Sequence, residues 1–366
     1  MSNNEARLSR IRDLIATHRV PLDRQWEIYR YLHQHPELSQ AEEKTAAYLA
    51  GALRDMGTYT VYEGIGGHGL VGVMENGPGP TVLFRADIDA LPVFEETGVD
   101  FASSATGTAR DGSATAVMHA CGHDMHMTAG LGLASLMAAT KSEWSGTFIA
   151  LFQPAEELAC GAQAMIDDGL ADLIPTPDVC FGQHIVPGPA GQVMTMPGPA
   201  LAGCDTISIT LTGRSAHGSM PHNAIDPTYL AAAIVLRLQG IVGREIPPHE
   251  FGVLSVGTLQ SGNSNNTIPG QAKIVLNIRY YSNDVRAKLV AGIERVVRGE
   301  CLASGTEVEP VIEYSDHGEV TDNDPEAFAT IRPVMDAVLG DDSTDAVPWT
   351  ASEDFSDLPR GLNCPY

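Results

Sequence analysis

The spacing of apolar residues changes along the chain, and each change predicts a different element. Residues 24–54 carry apolar positions at helical spacing, broken at HQHPEL around Pro36. Ser39, followed by AEEKTAAYLAGAL, predicts a side-chain cap with acids in the first helical turn. YTVYEG, GLVGVME and TVLFRAD then read as strands, with ENGPGP turning the chain between two of them. AGLGLASLMAATKS and AQAMIDDGL predict helices, while GTFIALFQPAEE and DVCFGQHIV repeat the pattern of an apolar run ending in polar residues. Strands alternating with helices predict an α/β layer, a mixed but mostly parallel sheet flanked by helices, with ligands at the carboxyl ends of its strands.

Near residue 199 the period becomes two. CDTISITLTGRSA alternates as a half-buried strand does, and DPTYLAAAIVLRLQGIVG is an amphipathic helix. FGVLSVGTLQSG and QAKIVLNIRYYS predict strands, NDVRAKLVAGIERVVRGECLASG a helix, and EVEPVIEYSD a further strand. This order predicts a smaller α+β domain inserted over 199–312, with 1–198 and 313–366 forming one discontinuous domain around it.

Composition narrows the partners. The chain has 366 residues and a formal net charge of −24, so nucleic acid and anionic membranes are excluded as main partners. No apolar run reaches the ~18 residues of a membrane span. The first twenty residues are polar and amphipathic, unlike a secretory signal. Six scattered cysteines in a long chain predict reduced thiols and a cytoplasmic location, not a disulfide framework.

Three strand ends carry ionisable groups: Asp87 with Asp89, Glu156 with Glu157, and His184. MHACGHDMH adds Cys121, His123 and Asp124, with Gly122 free to turn the backbone. Taken singly, a cysteine packs as a small core residue, a histidine hydrogen-bonds within a core, and a Glu-Glu pair is a solvated face. Together on one sheet edge, so many ionisable groups are costly to bury without a cation. Thiolate, imidazole and carboxylate form a mixed set suited to Zn²⁺, Mn²⁺, Co²⁺ or Ni²⁺. Adjacent glutamates in an extended segment diverge, so one can hold metal while its neighbour carries a proton, the division that metal-assisted hydrolysis needs. A cysteine nucleophile at Cys121 would leave Glu156, Glu157 and His184 unexplained. His119 and His126 read as structural. His217 and His222 in GRSAHGSMPHNAIDP read equally as exposed loop residues, and Arg279 as an anion partner or a surface ion pair.

HQHPELSQAE, FRADIDALPVFEETG, MHACGHDMHMTAGLGLA, LFQPAEE, FGQHIVPGPAG, GRSAHGSMPHNAIDP and NNTIPGQAKIVLNIR occur in that order. Over nearly the whole chain this set resembles the M20 metallopeptidase family, in the branch of N-acyl-amino-acid amidohydrolases, hippurate hydrolases and indole-acetyl-amino-acid hydrolases. The resemblance implies a zinc-exopeptidase-like fold with an inserted dimerisation or lid domain, and hence a homodimer. It implies two divalent metal ions per chain held by Cys121, His123, Glu157 and His184, with Cys121 bridging. Glu156 is then the general base, Asp87 a supporting carboxylate, and His217 a group that reaches a partner subunit's site and stabilises the oxyanion. Asn266 and Arg279 lie in motifs used around the carboxylate of an N-acyl amino acid substrate. An aminopeptidase or dipeptidase activity, or a non-catalytic dimeric relative, are the rival readings. The family's further metal-binding histidine beyond a segment like SEDFSDLP has no counterpart, since no histidine follows His317. The expectation is a C-terminally short chain, or a second metal with fewer ligands.

Overall fold

Apolar runs become strands where both faces of a sheet are covered. In the computed structural model, which describes residues 3–366, Thr60–Ile65 (β1), Gly69–Asn76 (β2), Thr81–Asp87 (β3), Gly146–Gln153 (β4) and Val179–Gly182 (β5) form one five-stranded sheet in the order β1-β2-β4-β3-β5. The sheet is mixed: β1–β2 and β2–β4 are antiparallel, while β4–β3 and β3–β5 are parallel. The parallel trio brings the carboxyl ends of β3, β4 and β5 to one edge, where open α/β sheets bind ligands.

Helices Asn3–His18 (α1), Leu22–Gln34 (α2), Glu43–Asp55 (α3) and His123–Ala139 (α4) precede or follow these strands. Leu49 and Leu53 of α3 and Met127 and Leu131 of α4 pack with Phe148, Ala150 and Phe152 on one sheet face. Leu83, Ile149 and Leu151 point to the other face, against Met165 of the short helix Gly161–Asp167 (α5) and against Phe355 and Leu358. Alternate residues of β4 therefore serve two cores, and its sequence reads as an unbroken apolar run. The expected cap at Ser39 is not formed. α3 begins at Glu43, and its early N–H at Thr45 is accepted by the Glu37 carboxylate at 2.8 Å. Ser39 instead donates its hydroxyl to Asp89 at 2.7 Å.

The chain divides into two units. The first runs up to Gly198 and includes Asp322–Val347 and Asp354–Tyr366; the second comprises Pro199–Thr321 and Pro348–Glu353. In the second, Gly203–Thr212 (β6), Gly252–Ser261 (β7), Gln271–Tyr280 (β8) and Val311–Gly318 (β9) form an antiparallel sheet in the order β7-β8-β6-β9. β9 pairs directly with β6, so this unit runs past the expected limit at 312. Pro227–Arg244 (α6) and Asn283–Ala303 (α7) cover one face through Leu230, Ile234, Leu238, Leu289 and Ile293. Among the described residues, no helix is long and apolar enough to cross a membrane.

Both helices of the second unit start on a side-chain cap. The Asp226 carboxylate accepts from the N–H groups of Thr228 and Tyr229, and Ser282 accepts from Val285. Asp226→Ala is expected to destabilise this unit by about 1 kcal/mol, read as a lower urea midpoint at unchanged slope. Asp205 is buried beneath the sheet, where burial alone would raise its pKa. Hydrogen bonds from Arg286 and His317 outweigh this and hold the carboxyl at about 2. Its contribution to stability is therefore complete above the ordinary aspartate value of about 4 and lost as pH falls towards 2. The urea midpoint should drop across that window, and Asp205→Asn should flatten the drop.

Candidate metal centre

The site begins with three strand ends. β3 delivers Asp87 and, two residues on, Asp89, both fully buried. β4 ends at Gln153 and leads through Pro154 into the tight turn Glu156–Leu158. That turn is flanked by Ala155 at φ 50° and Ala159 at φ 48°, left-handed conformations that non-glycine residues rarely adopt. Its entry is held by the buried Glu42 carboxylate, which accepts from the Ala155 N–H at 2.8 Å, and burial pushes the Glu42 pKa up. Its exit needs Gly161, where a Cβ would lie 1.6 Å from the Pro154 carbonyl oxygen. β5 leads to His184. Cys121 from the loop ahead of α4 and His123, the first residue of α4, flank Gly122, whose φ of 84° and close approach to Ile185 leave no room for a side chain.

His123 is buried at the centre. Its Nδ1 lies 3.2 Å from Asp89 Oδ1. Its Nε2 has no hydrogen-bond partner and lies 3.6 Å from Asp87 Oδ2 and 3.8 Å from both Glu156 Oε2 and Glu157 Oε1. With a proton on Nδ1 facing Asp89, Nε2 presents a lone pair. His184 is set the same way: its Nδ1 donates to the Ile185 carbonyl at 2.6 Å, and its Nε2 lies 3.4 Å from Cys121 Sγ. Cys121, His123 and His184 bring one donor atom each within 4.8 Å of one another, as do His123, Glu156 and Glu157.

Electrostatics point the same way. Burial favours neutral His123, but Asp87 and Asp89 override it and push its pKa up to about 12. A field that grips a proton so firmly would also favour a divalent cation. Glu157 Oε1 is likewise buried without a hydrogen-bond partner, and burial raises this carboxyl. Two unpartnered buried donor atoms, a thiol and a second imidazole are a donor set that fits divalent metal.

The structure thus brings together Cys121, His123, Glu156, Glu157 and His184. Asp87, expected to support the site, is held by Arg85 Nη1 at 2.7 Å and by His126 Nδ1 at 2.6 Å. Burial would raise its pKa, but Arg85, His123 and His126 keep it well below the usual range. Asp89 meets the Nδ1 side of the His123 ring, while Asp87 stands 3.6 Å from its Nε2. His126 has both ring nitrogens occupied, since its Nε2 accepts from the Ile185 N–H at 2.8 Å. His119 is buried with neither nitrogen partnered, and burial pushes its pKa down to about 4.

His217, Asn266 and Arg279 belong to the second unit. A two-residue ladder pairs Ala216–His217 with Thr267–Ile268, which sets His217 beside Asn266. The exposed His217 ring meets Ser219 Oγ at 2.7 Å. Arg279 lies on β8, donating Nε to Asn277 at 2.8 Å, while its buried Nη1 has no partner. Reading the sequence missed the buried network beneath the site. Arg85 also donates to Gln153 at 2.8 Å and reaches Asp354 at 3.4 Å, and Asp354 accepts from Gln153 at 2.6 Å and from the Ala162 N–H at 3.0 Å. The available signal was an arginine inside an apolar strand, two residues before an aspartate.

A family model described as Peptidase family M20/M25/M40 matches residues 83–365. The chain is similar to hippurate hydrolase from Campylobacter jejuni, at 35% identity over 93% of this chain and 86% of that protein. It is similar to thermostable carboxypeptidase 2 from Saccharolobus solfataricus, at 37% identity over 90% of this chain and 81% of that one. Among solved structures, it is similar to a dinuclear metal binding peptidase of the M20 family from Bacillus subtilis. There the TM-score is 0.77 at 28% identity, covering 94% of this chain and 86% of that one.

Arg85→Leu leaves two buried carboxylates without their cation. A loss of about 3–5 kcal/mol in urea unfolding is expected, and a loss below about 1 kcal/mol would show that Arg85 does not neutralise them.

Proposed function

Because the chain belongs to peptidase family M20/M25/M40, we propose that it is a metal-dependent amidohydrolase that cleaves N-acyl amino acids to a carboxylic acid and a free amino acid. The observation that carries this reading is the pair of buried, unpartnered donor atoms, His123 Nε2 and Glu157 Oε1, beside Cys121 and His184. These four residues would hold two divalent ions, with Mn²⁺ or Zn²⁺ fitting the mixed donor set and Co²⁺ or Ni²⁺ also compatible. Bound there, such ions polarise the amide carbonyl and acidify water.

The chain's own groups do the rest. Asp89 at His123 Nδ1 and the Ile185 carbonyl at His184 Nδ1 select the tautomer in which each Nε2 can turn to a metal ion. Glu156 takes the proton of the attacking water and returns it to the leaving amine nitrogen. The strained turn between Ala155 and Ala159 holds Glu156 and Glu157 to separate tasks. His217, supplied across a homodimer formed through the second unit, donates to the oxyanion, and Asn266 and Arg279 take the substrate carboxylate. The buried free Nη1 of Arg279 is a donor suited to that role. The likeness to a carboxypeptidase favours a second reading at the same residues, hydrolysis of peptides, and an acidic soluble chain of this kind would work in the cytoplasm.

Metal content by mass spectrometry after reconstitution and desalting should approach two ions per chain, and chelation should abolish hydrolysis of an N-acyl amino acid panel. Faster hydrolysis of peptides than of simple N-acyl amino acids would select the second reading. Glu156→Ala should keep its metal while turnover falls roughly 10²- to 10⁴-fold. A variant retaining most of its activity would sink the assignment of the base.

A further inference from the structure

The outer edge of β5 carries a second pair of reactive groups, on the strand that leads to His184. Cys180, fully buried on β5, has its Sγ 3.0 Å from Sγ of Cys364, which is half-buried. On one side Cys180 is paired with Leu83 of β3. On the other its N–H donates to the Pro365 carbonyl at 2.9 Å, so the segment around Cys364 lies along the strand's free edge. That segment is fixed at several further points. The Cys364 N–H donates to Pro359 and the Asp324 N–H to Tyr366 O, at 2.9 and 2.8 Å. The Tyr366 hydroxyl accepts from the Asp322 N–H at 3.0 Å, and its ring packs edge-on against Phe355. The sulfurs lie about 1 Å beyond the ~2.05 Å of a disulfide bond.

We propose that Cys180 and Cys364 form a dithiol–disulfide modification site, in which oxidation ties the strand preceding His184 to the C-terminal segment. The oxidant class is a low-molecular-weight disulfide. The Cys364 thiolate attacks one sulfur of that disulfide, forming a mixed disulfide and releasing one small thiolate. Cys180 then attacks the Cys364 sulfur, releasing the second, and the two cysteine protons leave on the two small thiols. The asymmetry of the pair suits this order. The more accessible Cys364 has its thiol pKa lowered by the hydrogen bond from Cys180, whereas that contact and burial push Cys180 up. The buried partner needs no solvent access, because it reacts only with its neighbour. The cross-link spans 184 residues of sequence, so it strongly restricts the unfolded chain.

The test uses the full chain, incubated natively with glutathione disulfide, then alkylated and mapped by peptide mass spectrometry. The expected product links the Cys180 peptide to the Cys364 peptide, with two hydrogens lost and no glutathione retained. Thermal unfolding should rise by roughly 5–10 °C and return on reduction with dithiothreitol. Cys364→Ser should show neither change. Mapping the unmutated protein decides the matter even if that variant folds poorly. Both thiols still alkylated, or a glutathionyl group stable on Cys364 with no cross-link, would overturn the proposal.

Discussion

One buried carboxylate, that of Asp89, organises the centre of this molecule. It faces the His123 ring, accepts the Ser39 hydroxyl, and accepts the Glu157 N–H. Three stretches far apart in sequence are thereby fixed to one another. They are the approach to α3, the first residue of α4, and the strained turn after β4. The same bonds leave His123 Nε2 turned towards Glu156 and Glu157 with no partner of its own. Removing the charge of Asp89 would loosen all three contacts together.

The acids gathered here are expensive to bury, and the fold compensates in two ways. Arg85, itself fully buried in the middle of an apolar strand, neutralises Asp87 from below and reaches Asp354. The sheet supporting them is packed on both faces, so the ends of β3, β4 and β5 form a rigid edge. Against that edge the chain tolerates left-handed backbone at Ala155 and Ala159, and it spends glycines where nothing larger fits, at Gly122 and Gly161. Strain concentrated beside a cluster of ligand-type side chains is what a preorganised site requires.

The second unit has its own sheet, helix caps and core, and in it Arg286 and His317 hold the buried Asp205 much as Arg85 and His126 hold Asp87 in the first. Under the proposed function the second unit would contribute the exposed His217 and Asn266 together with the part-buried Arg279. His217 pairs with Thr267, the residue after Asn266, in a two-residue ladder separate from the four-stranded sheet.

The sequence by itself determined the elements and the donor list. Periods of 3.6 and 2 are local consequences of helix and strand geometry, so α6, α7 and the alternating strand β6 were legible, as were the runs ending at Asp87, Glu156 and His184. The ordered motifs likewise made the family legible, and the family model agrees. What only the tertiary structure decided is which partner each group takes. Ser39 reads as a helix cap because hydroxyls next to helices usually cap, yet a buried carboxylate from another strand competes for it and wins. Asp87 and Asp89 are two residues apart and look equivalent. Their roles separate only because Arg85 and His126 claim Asp87, while Asp89 takes Ser39, the Glu157 N–H and His123 Nδ1. Cys180 and Cys364 read as scattered thiols, since no local pattern reports a contact across 184 residues. Hydrogen bonds and sulfur contacts of this kind depend on positions in space, and folding, not spacing along the chain, sets those.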